Sequence, residues 1–503
     1  MSEGNTERDC IVIGGGMGGL FTGALLAVRG HKVTVLEKNA SIGGGLQCFV
    51  RGGEKYETGM HVAGGFGSGD VLDRLCTYLG LRPEVASNDA LATVHFLSDS
   101  SRYELPCGRK ALTDYLISVF PAEREGISSY MDALYSLSRE ESLFYMQPGG
   151  AEEDGGERHS EEFLSCASRF IAGKVADERL RSLLAFLAPM YAGVEDKTPA
   201  YLHIMASVLF IEQSCRFVNG SDSLAEGLAE VIRSHGGEVL TGAEVTEIQV
   251  EERRVVSVRT GDGRNFSASG YVSDIHPLEL MRRLPEGTFP RGYVTRLKEI
   301  PLTNSAFKVY LRTSPGTVPF IAHPIFVYRD YSSVWKTAQP PLWPAAVSIF
   351  MTPGEDGSAS HLTLLSPMDF ARVEAWEDCG RFRRSAGYAA WKRDRMEELC
   401  FLASAALPQI ADGGCVAERF AASPLTFRDW YGTPRGSIYG YAKDFNYLAL
   451  SRLSVRTKVK NLFLTGQNVN MHGIGGVPMT AIETAEAVEG STALRNEIAN
   501  DII

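Results

Sequence analysis

Apolar positions along the chain change spacing several times, and each change predicts a different element. Cys10-Ile11-Val12-Ile13 is a short apolar run of the kind buried in a parallel strand, ending at Gly14-Gly15-Gly16-Met17-Gly18-Gly19. Leu20, Ala24, Leu25 and Val28 then recur at helical spacing, Gly30 stands where a C-terminal cap belongs, and 31–37 predicts the next strand. From about 110 to 215 helical patterns dominate, and two are unusually apolar: Leu180, Leu183, Leu184, Phe186, Leu187 and Met190, then Met205, Val208, Leu209, Phe210 and Ile211. Between them and the preceding helices, the charged, glycine-bearing stretch 149–158 predicts an exposed loop.

A helical stripe of Leu224, Leu228, Val231 and Ile232 closes at Gly236-Gly237 and is followed by strands at 238–240, 245–250 and 255–260, with a hairpin turn at Gly261-Asp262-Gly263. A further strand ends at Tyr271-Val272-Ser273-Asp274. Residues 290–455 mix strands (305–311, 346–351, 361–365) with helical runs such as 388–407, and the chain closes with a strand at 461–466, glycines and a helix at 477–489.

Composition bounds the reading. At ~150 residues per domain, 503 residues suggest roughly three units, and 52 Gly without a repeat beside only 22 Pro exclude collagen and a disordered tail. A formal charge of -11 disfavours nucleic acid as a partner held by bulk electrostatics. Nine scattered Cys show no paired Cys/His spacing, so neither a zinc site nor a disulfide framework is expected. The polar, acidic residues 1–9 do not resemble a signal peptide, and a cytoplasmic protein is expected. The stretch 11–28 has 18 uncharged residues, but six are glycine, too many for an ordinary membrane span.

The chemistry starts at Gly14-x-Gly16-x-x-Gly19, set between strand and helix, with Glu37 at the end of the second strand. Glycine is needed for the turn, for close approach of backbone amides to a pyrophosphate, and for packing of helix on strand. A helix N-terminus adds partial positive charge, and the acid accepts hydrogen bonds from a ribose diol. A second close-approach loop, Ile42-Gly43-Gly44-Gly45-Leu46, follows, and then Glu57-Thr58-Gly59-Met60-His61. Near the other end, Leu464-Thr465-Gly466-Gln467 precedes Gly473-Ile474-Gly475-Gly476-Val477.

These motifs resemble the FAD-dependent amine oxidase and phytoene desaturase superfamily. Ser423-Pro424-Leu425-Thr426 and Gly436-Ser437-Ile438-Tyr439-Gly440 are similar to the branch of phytoene desaturases, carotenoid isomerases and the all-trans-retinol saturase type. The resemblance implies an α/β fold, with a doubly wound, Rossmann-like FAD-binding domain in three parts (8–85, 216–290 and 456–503). It also implies a mainly helical substrate or lid region (86–215) and a mixed α+β substrate domain (291–455). FAD contacts are implied for Gly14, Gly16, Gly18, Gly19, Glu37, Lys38, Gly43, Gly44, Gly45, Leu46, Val245, Gly466, Gln467, Gly475, Gly476 and Val477. Two departures stand out: Gly45 replaces the family's usual Arg, and Val218-Asn219-Gly220-Ser221 replaces its Pro-x-Gly-Gly.

His61 and His472 are the expected polar side chains nearest the flavin, as proton donors or acceptors or as structural hydrogen-bond partners. Gln467 and Asn470 are candidates for ribityl or flavin carbonyls. Cys48 has no partner cysteine four or five residues on, which argues against a disulfide reductase and leaves it a small core residue. The apolar helices, with Tyr191, Phe210, Phe217, Tyr439 and Tyr441, line either an ordinary core or a tunnel for a long hydrocarbon, and a tunnel mouth would suit peripheral contact with the inner face of a membrane.

The implied chemistry is hydride transfer between flavin N5 and a carbon of an apolar polyene or isoprenoid, as desaturation, saturation or isomerisation. Oxygen, a quinone or NAD(P)H would exchange electrons with it, and no second dinucleotide unit is evident. Two other readings stay open: an amine or porphyrinogen oxidase using oxygen, and a non-catalytic flavin-binding protein.

Overall fold

In the computed structural model, residues 8–145, 159–380, 383–411 and 413–500 are described, and the stretch 149–158 expected as a loop lies outside them. A parallel sheet runs in the order Leu462–Leu464, Gly270–Ser273, Asp9–Ile13, Lys32–Leu36, Glu238–Leu240. Its strands are apolar on both faces because both are covered. Cys10 and Val12 face helix Met17–Val28 and the helices Asp222–Ser234 and Gly473–Glu489 that flank it, whereas Ile11 and Ile13 face the opposite core. That second core is closed by the strands Val245–Glu251 and Arg254–Thr260 and the helices Pro277–Arg283 and Arg291–Glu299. The uncharged stretch 11–28 is therefore strand, turn and helix, and no helix among the described residues is long and apolar enough to cross a membrane.

A second sheet orders Val416–Ala422, Ser305–Thr313, Ala359–Met368, Ala346–Pro353, Ile325–Tyr328, Ala92–Phe96 and Ser101–Leu105. Its last two strands lie within the region 86–215, whose other regular elements are chiefly helices: Thr93–Phe96 pair in parallel with Ile325–Tyr328, more than two hundred positions on, and Ser101–Leu105 pairs back on Ala92–Phe96. A five-residue apolar run does not distinguish strand from helix by periodicity, and its pairing partner decided it.

The helix Ala200–Glu212 is buried over nearly its whole circumference, as an all-round apolar sequence requires. One of its faces packs on helix Arg124–Ser138; Leu202, Met205, Ala206, Leu209 and Phe210, at helical spacing, face a cavity. This helix therefore packs in the core on one side and lines the cavity on the other.

Candidate functional site

The turn after the first strand is held by its own backbone. Gly14, at φ +101°, donates its amide to Leu36 O at 2.9 Å, and Gly43 donates to Gly15 O at 2.6 Å, which ties the two glycine loops together. Glu37 accepts from the amides of Gly15 and Asn39, both at 2.8 Å, and burial raises its carboxyl above the ordinary range. The N-cap of helix Met17–Val28 is Gly16, which has no capping side chain, and the first turn holds no acid of its own; the Asp274 carboxyl sits against the Gly16 and Gly19 amides.

This turn opens into a cavity of about 650 Å³. Of the residues implied as FAD contacts, Gly14, Gly16, Gly18, Glu37, Lys38, Gly44, Gly45, Leu46, Val245, Gln467, Gly475, Gly476 and Val477 line it. Gly19, Gly43 and Gly466 do not; they let chain approach chain, since a Cβ on Gly19 would strike Gly14 O and one on Gly43 would lie 3.0 Å from Ala225 Cβ. Residues that line the cavity carry buried polar atoms without a protein hydrogen-bond partner, among them His276 Nε2, Thr433 Oγ1 and His472 Nδ1. A glycine cradle, a helix N-terminus, an acid at the second strand's end and these unpaired atoms fit a flavin dinucleotide.

One part of the wall is apolar, formed by Phe144, Met190, Leu202, Met205, Leu209 and Phe210. The run 59–64 connects the two parts: a Cβ on Gly59 would meet Gly45, and one on Gly64 would meet Leu209. Between them, His61 stacks on Phe350 at 4.7 Å and lies 2.8 Å from Lys308 Nζ, which also donates to Thr58 O. Burial pushes the Lys308 ammonium down to about 7, opposed by the charge of Glu57. Burial and the Lys308 charge hold His61 far below the usual imidazole range, so its ring is neutral.

His472 caps helix Gly473–Glu489, stacks on Tyr439 at 4.6 Å, and points Nε2 at Tyr191 O, 3.1 Å away. A carbonyl accepts only, so Nε2 carries the hydrogen, and Nδ1 is a bare acceptor towards the cavity. Burial pushes the ring down to about 3, so it is neutral, and Nδ1 has no hydrogen-bond partner in the protein.

Other expected residues fall elsewhere. Asn470 lines a separate surface pocket with Arg452 and Arg456. Tyr191, Phe210 and Tyr439 line the main cavity, whereas Tyr441 is wholly buried with its hydroxyl on Leu297 O, and Phe217 packs edge-on against Phe66. Lys308 and Asp274 were missed. A lysine inside the apolar run Ser305-Ala306-Phe307-Lys308-Val309 was the available signal for the first, since buried lysines need a reason; for Asp274 there was none.

Cys48 is not inert packing: its thiol donates to Glu57 Oε2 at 3.3 Å, while Ser221 donates its amide to Oε1 at 2.8 Å and its hydroxyl to Oε2. Burial pushes Glu57 up to about 7 from 4.5. The folded chain therefore binds this proton more tightly than the unfolded chain, and the stability it contributes is full below about 4.5 and is lost as pH rises to about 7. Glu57→Gln is expected to flatten that loss, gaining about 2 to 3 kcal/mol over the wild type between pH 5 and pH 8 in urea unfolding. An equal pH dependence in the two proteins would reject the assignment.

Residues 17–377 match the flavin containing amine oxidoreductase family. Over 96% of its length the chain is 24% identical to all-trans-retinol 13,14-reductase of Rattus norvegicus, covering 86% of that protein. It is 28% identical to the chloroplastic prolycopene isomerase 2 of an Oncidium hybrid cultivar over 61% of this chain and 53% of the relative. An oxidoreductase structure from Methanosarcina mazei superposes with a TM-score of 0.64 at 15% identity, covering 95% of this chain and 100% of that one, a likeness of fold.

Proposed function

The chain belongs to the flavin containing amine oxidoreductase family and is an FAD-dependent oxidoreductase, and from that premise we propose that its substrate is a polyene or isoprenoid that exchanges hydride with flavin N5. The observation that carries this is the cavity wall of Phe144, Met190, Leu202, Met205, Leu209 and Phe210, which offers an apolar chain a dry surface and no counterion. The carboxylates lining the cavity lie away from it: Glu37 and Asp274 at the glycine turn, Glu244 and Glu279 paired with Arg283, and Glu377 exposed beside Arg428. An amine would enter as a cation with nothing to neutralise it, which disfavours the amine oxidase reading.

Bound FAD supplies the hydride acceptor or donor. The glycine turn and Glu37 would hold its ADP half, and the N-terminus of helix Gly473–Glu489 would meet its other end. Lys308 and His61 form the proton site. Lys308 titrates near pH 7 and lies one hydrogen bond from a neutral imidazole, so the pair holds a proton or takes one without leaving the buried site. The apolar wall excludes water from the reacting carbon.

The test is spectroscopic. The purified protein is expected to show an oxidised flavin spectrum that bleaches on reduction and returns when a polyene is added anaerobically. If oxygen restores the colour while polyenes and quinones do not, and amines bleach it, the oxidase reading replaces this one.

A further inference from the structure

Asp274 follows the strand Gly270–Ser273 and donates its amide to Ile13 O at 2.9 Å. Its side chain is wedged between two loops. A Cβ on Gly16 would lie 2.5 Å from one carboxyl oxygen, a Cβ on Gly18 2.5 Å from the other, and a Cβ on Gly466 would overlap the carboxyl. These glycines thus make room for one carboxyl group as well as for a ligand, and Asp274 itself lines the cavity.

That location is electrostatically odd. The amides at the start of helix Met17–Val28 favour an anion, and a carboxylate beside them would repel an incoming diphosphate. No cation compensates among the described groups. Glu37 reaches Asp274 from the end of strand Lys32–Leu36 and adds negative charge; the first turn of helix Met17–Val28 and residues 465–467 carry no charge, and His276, pushed by burial to about 3, is neutral. Burial, with Glu37 assisting and the Gly19 and Gly16 amides opposing, pushes Asp274 up to about 7. A protonated carboxyl removes the repulsion and gains a donor.

We propose that Asp274 is a cofactor-binding residue that is protonated in the complex and donates a hydrogen bond to the FAD diphosphate, so that binding takes up one proton at alkaline pH. This rests on the FAD reading above. It makes FAD occupancy sensitive to pH through the glycine turn, independently of the Lys308 and His61 pair.

The experiment is equilibrium dialysis of the full-length protein against FAD from pH 6 to pH 9, with calorimetry at pH 8 in two buffers of different ionisation enthalpy. The dissociation constant is expected to be level below pH 7 and to rise about tenfold per pH unit above it, with uptake of close to one proton. Asp274→Asn, which keeps the shape and cannot ionise, is expected to bind with no such slope and more tightly than the wild type at pH 9. Glu37→Gln is expected to keep the slope. A level wild-type profile, a slope that persists in Asp274→Asn, or one lost only in Glu37→Gln overturns the proposal and leaves FAD binding intact; no FAD bound at any pH overturns both.

Discussion

Gly18→Val is expected to yield a folded but colourless protein. A Cβ at residue 18 would lie 2.6 Å from Gly466 Cα, 2.9 Å from Gly466 N and 2.5 Å from Asp274 Oδ1. Two of these are backbone atoms in the strand-to-loop corner after Leu462–Leu464, which has no rotamer to change. Relief has to come from moving the helix start away from the second loop, costing about 1 to 3 kcal/mol of stability and displacing the amides that face the diphosphate. Since ~1.4 kcal/mol is a factor of ten in affinity, flavin binding should weaken about a hundredfold or more. Gly292→Ala is the control, with nothing near its added methyl and an ordinary φ. The ratio of flavin to protein absorbance in the two purified variants decides the matter, and a Gly18→Val protein as yellow as the control would mean that FAD does not lie along this turn.

Lys308→Met is expected to keep its flavin and lose about a hundredfold in turnover, the scale of a lost acid–base group. Methionine fills similar volume, so the wall beside Phe427 stays closed while the hydrogen bonds to Thr58 O and His61 Nε2 disappear. The same substitution has a stability signature of definite sign. Lys308 sits near 7 in the fold against 10.5 for the free side chain, so between those values the unfolded chain binds a proton that the folded chain does not. Stability from this group therefore rises with pH across that window by about 1.4 kcal/mol per unit, and Lys308→Met lacks the rise. Urea unfolding at pH 7 and pH 9, with saturating FAD, should show the wild type gaining roughly 2 to 3 kcal/mol more than the variant. Normal turnover together with an unchanged pH slope would return Lys308 to a plain core position.

How far each prediction was legible in the chain differs with its physics. The Gly18 result depends on a turn whose identity is local: an apolar run, glycines at close intervals and an amphipathic helix are neighbours in sequence, and the steric demand for glycine is set within a few residues. The stripe of Leu202, Met205, Ala206, Leu209 and Phe210 is equally local, because a helix repeats every 3.6 residues whatever it packs against. Which side of that helix met solvent, core or cavity was not, since the run is apolar all round.

The chain by itself thus determined the parallel nucleotide-binding turn, its acid, the apolar helices and the flavin family, because these follow from spacing and backbone sterics. Only the tertiary structure decided the chemistry of the site. Lys308 meets His61 across 247 positions, Asp274 slides between glycines from both ends of the chain, His472 is locked into an accepting tautomer by Tyr191 O, and Asn470 turns to a different pocket. Desolvation and hydrogen bonding set these proton affinities, and both are properties of what surrounds a side chain in space, which local sequence pattern does not carry.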